Sequence, residues 1–319
     1  MRAAYLTAPS ADDPVGALTV GELDAPEAPE GWSRVDVHAG ALNMHDIWML
    51  RGVAPLPDGG GPGVIGSDGA GVCEGREVLI YPVLPGSATG KAVPHSVLLS
   101  DRGHGLLAEQ AAVPAGGMVP KPAHLAWEEA ACLPTAWLTA YRMVFTKARL
   151  RAGQTVLVQG AGGGVSTAVI ALAKAAGASV IVTSRTAGKR RRALEAGADA
   201  ALPTGERVPE LVDAVVESVG SATFEHSVAS AKAGGAIVVC GASTGFTARL
   251  NLARLFAREI TVHGSTMGTP EEFAEMAAFV GRHRIRPAVD STVPLGDVRA
   301  AARRMLDGSA FGKLCVAVR

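Results

Sequence analysis

Cysteine is scarce: Cys73, Cys132, Cys240 and Cys315 lie far apart in a chain of 319 residues and form no CxxC or comparable metal-ligand spacing. That excludes a disulfide framework and a zinc ribbon, and leaves four small hydrophobes expected to be buried. Long apolar runs are missing as well. No stretch of 18 apolar residues occurs, and the opening MRAAYLTAPSADDPVG has one Arg but no apolar core of the kind a secretory leader carries. The expected location is the cytoplasm, with no membrane as partner. Charge is balanced, since 30 Lys and Arg against 30 Asp and Glu give a formal charge of +0. Nothing therefore pulls the whole chain toward nucleic acid, and any charge-driven function must be local. Repeats and low-complexity linkers are also absent.

What is present is a globular composition. Hydrophobic residues make up 48% and charged residues 19%, with 39 Gly and 19 Pro, which fits neither a disordered tail, nor collagen, nor a coiled coil. At roughly 150 residues per domain, the length implies two cores rather than one. From Met1 to about Lys121, Pro and Gly break the chain into short alternating runs such as 34–38 and 77–81, the texture of strands and turns. From about Trp127 to about His263, Ala-rich helical segments alternate with Val/Ile-rich runs, which implies an α/β fold of βαβ units around a parallel sheet. Strands are predicted at Thr155–Val158, Ser179–Thr183, 214–216, 236–240 and 260–262, and helices at 165–176, 223–233 and 252–258. Beyond Gly264 come helices at 271–284 and 297–306 and an apolar strand at 314–318.

The run 156–166, VLVQGAGGGVS, leaves a strand, turns on glycine and opens a helix. The amides of such a turn, together with the helix dipole, accept a pyrophosphate because no side chain blocks its approach; Gly162, Gly163, Gly164 and Val165 are the candidates. The match to GxGxxG is imperfect, since Ala161, Gly163 and Ser166 hold the three usual glycine positions. A Gly-rich turn that binds nothing is the plain alternative. About twenty residues downstream the second strand ends in Thr183-Ser184-Arg185. An NAD site places an acid there for the ribose hydroxyls, whereas NADP needs a cation for the 2′-phosphate. Here the acid is missing, and Ser184, Arg185 and Lys189 point to NADP(H). Arg191 and Arg192 read as a solvated helix face.

With those strings in place, the whole chain resembles a medium-chain dehydrogenase/reductase, in the zinc-free branch of NADPH:quinone oxidoreductases and enone reductases. The resemblance rests on ALNMHDIW at 41–48, PGVIGSDGAG at 62–71, LPTAWLTAY at 133–141, the glycine turn, and Gly312-Lys313-Leu314. It implies a Rossmann doubly wound parallel sheet inserted in a GroES-like, partly open β-barrel domain. The expected segments are 1–120 (GroES-like), 121–264 (Rossmann) and 265–319 (return to the first domain). Zinc members of the superfamily use two thiolates and a His followed by Glu. The corresponding places hold Asn43, Ser67 with Asp68, and Thr135, poor donors for zinc, so no metal is expected. No cysteine cluster for a structural zinc occurs between Tyr81 and Gly105. The hairpin after Gly71 is short, and so is the following region to Leu99.

The resemblance also assigns roles. Asn43 would stand beside the nicotinamide ribose and donate its amide to the substrate carbonyl, and Trp48 would either wall a pocket for a planar substrate or pack in a core. Thr135, Gly241, Ala242, Ser243, Ser265 and Met267 would line the cofactor, and Lys313 would reach its ribose or phosphates or else lie on the surface. Asp46 is expected to orient backbone or Asn43, and His45 to be a surface imidazole. The implied reaction is hydride transfer from NADPH to a quinone or an α,β-unsaturated carbonyl, including enoyl reduction as a tailoring step, in a homodimer whose partner is a small molecule. A protein that binds NADPH without turnover is the alternative of another class. A methyltransferase reading of the glycine turn lacks the ribose-binding acid.

Overall fold

A computed structural model describes residues 1–53, 62–84 and 97–319. It divides into two units, one of residues 1–135 with 269–319, the other of residues 136–268.

The second unit is built on six strands, all parallel. In space they run Ala200–Leu202, Ser179–Thr183, Thr155–Val158, Val212–Glu217, Ala231–Val239 and Thr261–Gly264. Numbered along this unit, that is third, second, first, fourth, fifth, sixth, the doubly wound order of dinucleotide-binding sheets. Central strands of such sheets are covered on both faces and therefore read as continuous apolar runs; Val156, Leu157 and Val158 are fully buried. The helix Gly164–Ala175 turns Ala168, Val169, Ile170, Leu172 and Ala173 inward and stops before Gly177, whose φ of +78° suits glycine.

Two expectations change here. The helix expected to reach 233 ends at Ser230, because Ala231 already pairs with Val212 in the sheet and Gly234, at φ +70°, breaks any helical path. The edge strand Ala200–Leu202 was not foreseen, since Ala-Ala-Leu carries no β-branched residue.

In the first unit, the ten-residue strand Trp32–Ala41 is the hub of a seven-stranded sheet. It pairs with Gln110–Pro114 over its first half, with Lys313–Ala317 over its last three residues, and with Asp68–Cys73 between 36 and 41. A register shift between Val37 and Ala39 marks a bulge that allows this exchange of partners. Gly71 is required by the packing, because a Cβ there would collide with the Asp36 carbonyl. The short hairpin after Gly71 closes through Glu74 and Gly75, both at positive φ (+50° and +76°), as a two-residue primed turn demands. Residues 85–96 of the shortened region that follows lie outside the described residues.

One core cluster gathers Leu18, Leu42, Ile47, Leu50, Ile65, Leu107, Val298 and Leu314, and another Val35, Val37, Ile80, Leu99, Leu106 and Val113. The first unit extends to Thr135 rather than ending near 120, because the helix Trp127–Ala131 packs on the strands Trp32–Ala41 and Asp68–Cys73 and its Trp127 stacks on His38 at 4.4 Å. The four cysteines are free. Among the described residues, no helix is long and apolar enough to cross a membrane.

Candidate active site

The strand Trp32–Ala41 runs out at Leu42, and Asn43 begins the helix Met44–Leu50. Asp46, in the first turn, accepts the Asn43 backbone N–H at 2.7 Å, which leaves the Asn43 side chain free to turn elsewhere. Its Nδ2 donates to Asp68 Oδ2 at 2.9 Å. The Lys313 ammonium donates to Leu42 O at 2.7 Å, Asn43 Oδ1 at 2.6 Å and Asp68 Oδ2 at 2.7 Å. The other Asp68 oxygen accepts the Thr135 backbone N–H at 2.7 Å, and the Thr135 hydroxyl donates to Ser67 O at 3.3 Å. Residues drawn from four distant stretches thus meet in one buried polar cluster.

Lys313 is 3% exposed and Asp68 0%. Burial favours the neutral amine, but the Asp68 charge and its hydrogen bond outweigh it and hold the Lys313 pKa above the ordinary value. The expectation for Lys313 is corrected here. It neither lies on the surface nor has a proton left for a ribose or phosphate, since each of its three N–H bonds already has an acceptor.

The resemblance sets Asn43, Ser67 with Asp68, and Thr135 against the zinc-ligand positions of metal-dependent members, and the donors that this cluster presents do not fit zinc. The donors would be amide, hydroxyl and carboxylate oxygens, an ammonium already sits among them, and both Asp68 oxygens are engaged. Among the described residues, no group of three or more His, Cys, Asp or Glu is placed to hold a metal.

Beside this cluster, His45 Nε2 donates to Asp101 Oδ1 at 2.7 Å, and Asp101 Oδ2 accepts the Leu98 N–H at 2.8 Å. The His45 side chain is 21% exposed, so the surface imidazole expected there is a partly buried, carboxylate-bound one. Burial lowers its pKa, but the hydrogen bond and charge of Asp101, and then the charge of Asp46, raise it further, with a net upward shift. Asp46 orients the Asn43 backbone, the role expected of it. Burial pushes its carboxyl up to about 6, and Oδ1 has no partner among the described residues. Trp48 is half-buried on the same helix and belongs to neither core cluster around it.

In the second unit, the glycine turn is shaped by φ values of +79° at Gly160 and +105° at Gly162. A Cβ on Gly160 would press on Val219 at 2.7 Å, whereas one on Gly163 would meet only Ser166 Oγ at 3.8 Å. Glycine at 163 is therefore not demanded by packing, and its open side faces free space above the helix start. No side chain caps that helix, so amides of its first turn, including Gly164 and Val165, are available to an anion. Beneath the turn, Gln159 binds Thr183 Oγ1 at 2.7 Å and Ser227 Oγ at 3.1 Å. Buried Glu217 gathers the Val219 and Gly220 amides and the Thr223 and Ser227 hydroxyls.

After the second strand, Ser184 is buried, Arg185 exposed and Lys189 half-buried. Arg190 donates Nη1 to Ser184 O at 2.8 Å, bringing a further cation to the same loop. Gly241, Ala242 and Ser243 follow the fifth strand beside the 218–220 turn, with Gly241 tight against Ser218 O. Ser265 donates its N–H to Val239 O at 2.8 Å. Its hydroxyl and the Trp137 indole N–H are buried with no partner among the described residues. Met267, at φ +20°, accepts from Thr139 Oγ1 at 3.8 Å. Free amides, an open glycine, the orphaned Ser265 hydroxyl after the sixth strand and cations after the second together fit a phosphorylated dinucleotide. Of the residues assigned to the cofactor, Asn43, Thr135 and Lys313 belong to the first unit and the rest to the second.

Comparison with known proteins identifies the family and the fold. The family model for zinc-binding dehydrogenases matches residues 164–282. A zinc-type alcohol dehydrogenase-like protein of Schizosaccharomyces pombe is 30% identical over 316 residues, covering 89% of this chain and 90% of its own. A 2-methylene-furan-3-one reductase of Solanum lycopersicum is 33% identical over 70% of this chain and 59% of its own. A quinone oxidoreductase of Pongo abelii is 28% identical over 88% and 87%. Among solved structures, an NAD-dependent alcohol dehydrogenase superposes over 100% of both chains with a TM-score of 0.91 and 34% identity. A 2-octenoyl-CoA carboxylase reductase in complex with NADP and 2-octenoyl-CoA superposes over 99% of this chain and 87% of its own, with a TM-score of 0.88 and 26% identity.

Proposed function

Since the chain belongs to the medium-chain dehydrogenase/reductase superfamily of oxidoreductases, we propose that it is a zinc-independent, NADPH-dependent reductase of quinones or α,β-unsaturated carbonyls. The observation that carries this reading is the buried ammonium of Lys313, bonded to Asn43 and Asp68, two residues that the resemblance sets against zinc-ligand positions. A fixed protein cation already satisfies the carboxylate there. The chemistry left is hydride addition to an acceptor that spreads negative charge over itself, as an enolate or a hydroquinone does.

NADPH, when bound, supplies the hydride. The 163–165 turn would hold its pyrophosphate, Ser184, Arg185 and Lys189 its 2′-phosphate, and Gly241 to Ser243 with Ser265 and Met267 its remaining length. Asn43 spends one Nδ2 hydrogen on Asp68 and keeps a second for an acceptor carbonyl, held in orientation by Lys313 on its Oδ1. Preorganised donors of this kind lower the barrier without reorganising. Trp48 offers an apolar wall to a planar ring. The relatives named for quinone and enone reduction, and the neighbour solved with NADP, support this class of acceptor and cofactor.

NADPH and NADH oxidation against a panel of quinones and enones, in the wild type and in Arg185→Ala, tests the proposal. The substitution is expected to raise KM for NADPH at least tenfold, about 1.4 kcal/mol, and to leave KM for NADH nearly unchanged. Equal effects on both would remove the phosphate assignment. Normal NADPH binding with no oxidation across the panel would favour a non-catalytic nucleotide-binding protein.

A further inference from the structure

Reduction of a conjugated acceptor adds a proton as well as a hydride, and most groups of the first unit's polar cluster have none to give. The Lys313 protons are committed to three acceptors and the Thr135 hydroxyl to Ser67 O. The Ser67 and Ser100 hydroxyls face each other at 3.2 Å, and the Asn43 amide is not an acid. His45 is different. It leaves the first turn of the same short helix that Asn43 opens, its Nε2 is bound by Asp101, and its Nδ1 has no partner among the described residues. Asp101 is itself anchored by the Leu98 amide and is 3% exposed, whereas the His45 side chain keeps 21% of its surface in solvent. A buried carboxylate thus orients an imidazole that remains in contact with water.

We propose that His45, oriented by Asp101, is the proton donor of the reduction. The step balances as follows. Hydride carries two electrons from NADPH to the β-carbon, NADP+ is left, and the C=C π pair moves toward the carbonyl as an enolate. The imidazolium then gives its Nδ1 proton to that enolate, forming the saturated carbonyl compound, and neutral His45 recovers a proton from water at its exposed edge. With a quinone the same proton goes to the hydroquinone oxyanion. The charged groups facing His45 are both acidic, Asp101 from the 100–102 turn and Asp46 from its own helix, and both favour the imidazolium. Asp101 acts through His45 and is a positioning residue.

This inference rests on the reductase reading, and the test separates the two. His45→Gln retains a polar side chain of similar reach. It is expected to lower kcat about 100-fold, in the range of a lost general acid, with thermal stability and NADPH affinity measured by nucleotide fluorescence unchanged. In the wild type, kcat falls as pH rises through a pKa above the ordinary histidine value of 6.5, and the ring resonances of His45 titrate at the same pH. In Asp101→Asn both the kinetic limb and the NMR titration move to lower pH, and in His45→Gln the limb disappears. A His45→Gln enzyme with wild-type kcat and an unchanged pH limb overturns the inference while the reductase reading stands. A wild type that binds NADPH but oxidises none of it in the presence of any quinone or enone of the panel overturns both.

Discussion

At the residue scale, Lys313 and Asp68 illustrate how a buried charge is tolerated. Desolvating one ion costs several kcal/mol, and here three acceptors for the ammonium and three donors for the carboxylate offset that cost. Lys313→Met leaves Asp68 buried without its counterion and is expected to destabilise the first unit by about 3 to 5 kcal/mol. Adding Asp68→Asn to Lys313→Met should restore part of that loss. Additive effects in a denaturation double-mutant cycle would contradict the coupling.

Asp46 makes an opposite prediction. Its folded carboxyl titrates at about 6 against an ordinary 3.8, so the folded state holds the proton more tightly than the unfolded chain. The associated stability is fully present below about pH 4 and is lost as pH rises to about 6. Asp46→Asn retains an acceptor for the Asn43 amide, and it is expected to stabilise the protein at pH 7 by up to about 3 kcal/mol with little gain near pH 4. Urea titrations at the two pH values would show this, and a variant less stable at pH 7 would refute it. The sequence reading anticipated the role of Asp46 but paired none of the other charges. Asp101 lies 56 positions from His45, and Asp68 lies 245 from Lys313, and no local pattern relates such partners. The one available hint for Lys313 was a lysine opening an otherwise apolar strand.

At the scale of elements, the glycine turn and its helix separate structural from ligand-directed glycines. Gly160→Ala should destabilise the second unit, since it forces a Cβ onto φ +79° and against Val219. Gly163→Val has room in the protein. It is expected to cost less than about 1 kcal/mol in stability yet weaken NADPH binding at least tenfold by filling the pyrophosphate's approach. Calorimetric melting with and without NADPH distinguishes the two. Strands such as Thr155–Val158 and Ser179–Thr183 were legible to the residue, because burial on both faces demands unbroken β-branched runs. Ala200–Leu202 and the first turn of Ala231–Val239 were not. They are strands by virtue of their neighbours rather than their own propensity, and alanine reads as helix until the partner is known.

At the scale of the molecule, the alternation of Ala-rich helices with Val/Ile-rich runs made the parallel sheet legible, while the switch of partners along Trp32–Ala41 and the position of helix Trp127–Ala131 had to be seen. The sixth strand, Thr261–Gly264, is an edge, and near it in sequence Phe246, Leu252 and Phe256 are 84%, 64% and 74% exposed. An unpaired edge with apolar side chains invites a second copy, in keeping with the homodimer that the resemblance implies. Phe256→Asp is expected to shift sedimentation from dimer to monomer, and a monomeric wild type would contradict the assignment. The central claim, that the cluster of Asn43, Asp68 and Lys313 works without a metal, has a direct measurement: metal content by elemental analysis together with NADPH-dependent enone or quinone reduction before and after exhaustive chelation. Less than a tenth of an equivalent of zinc with full activity after chelation is the predicted result. A stoichiometric ion whose removal abolishes turnover and whose return restores it would contradict the account.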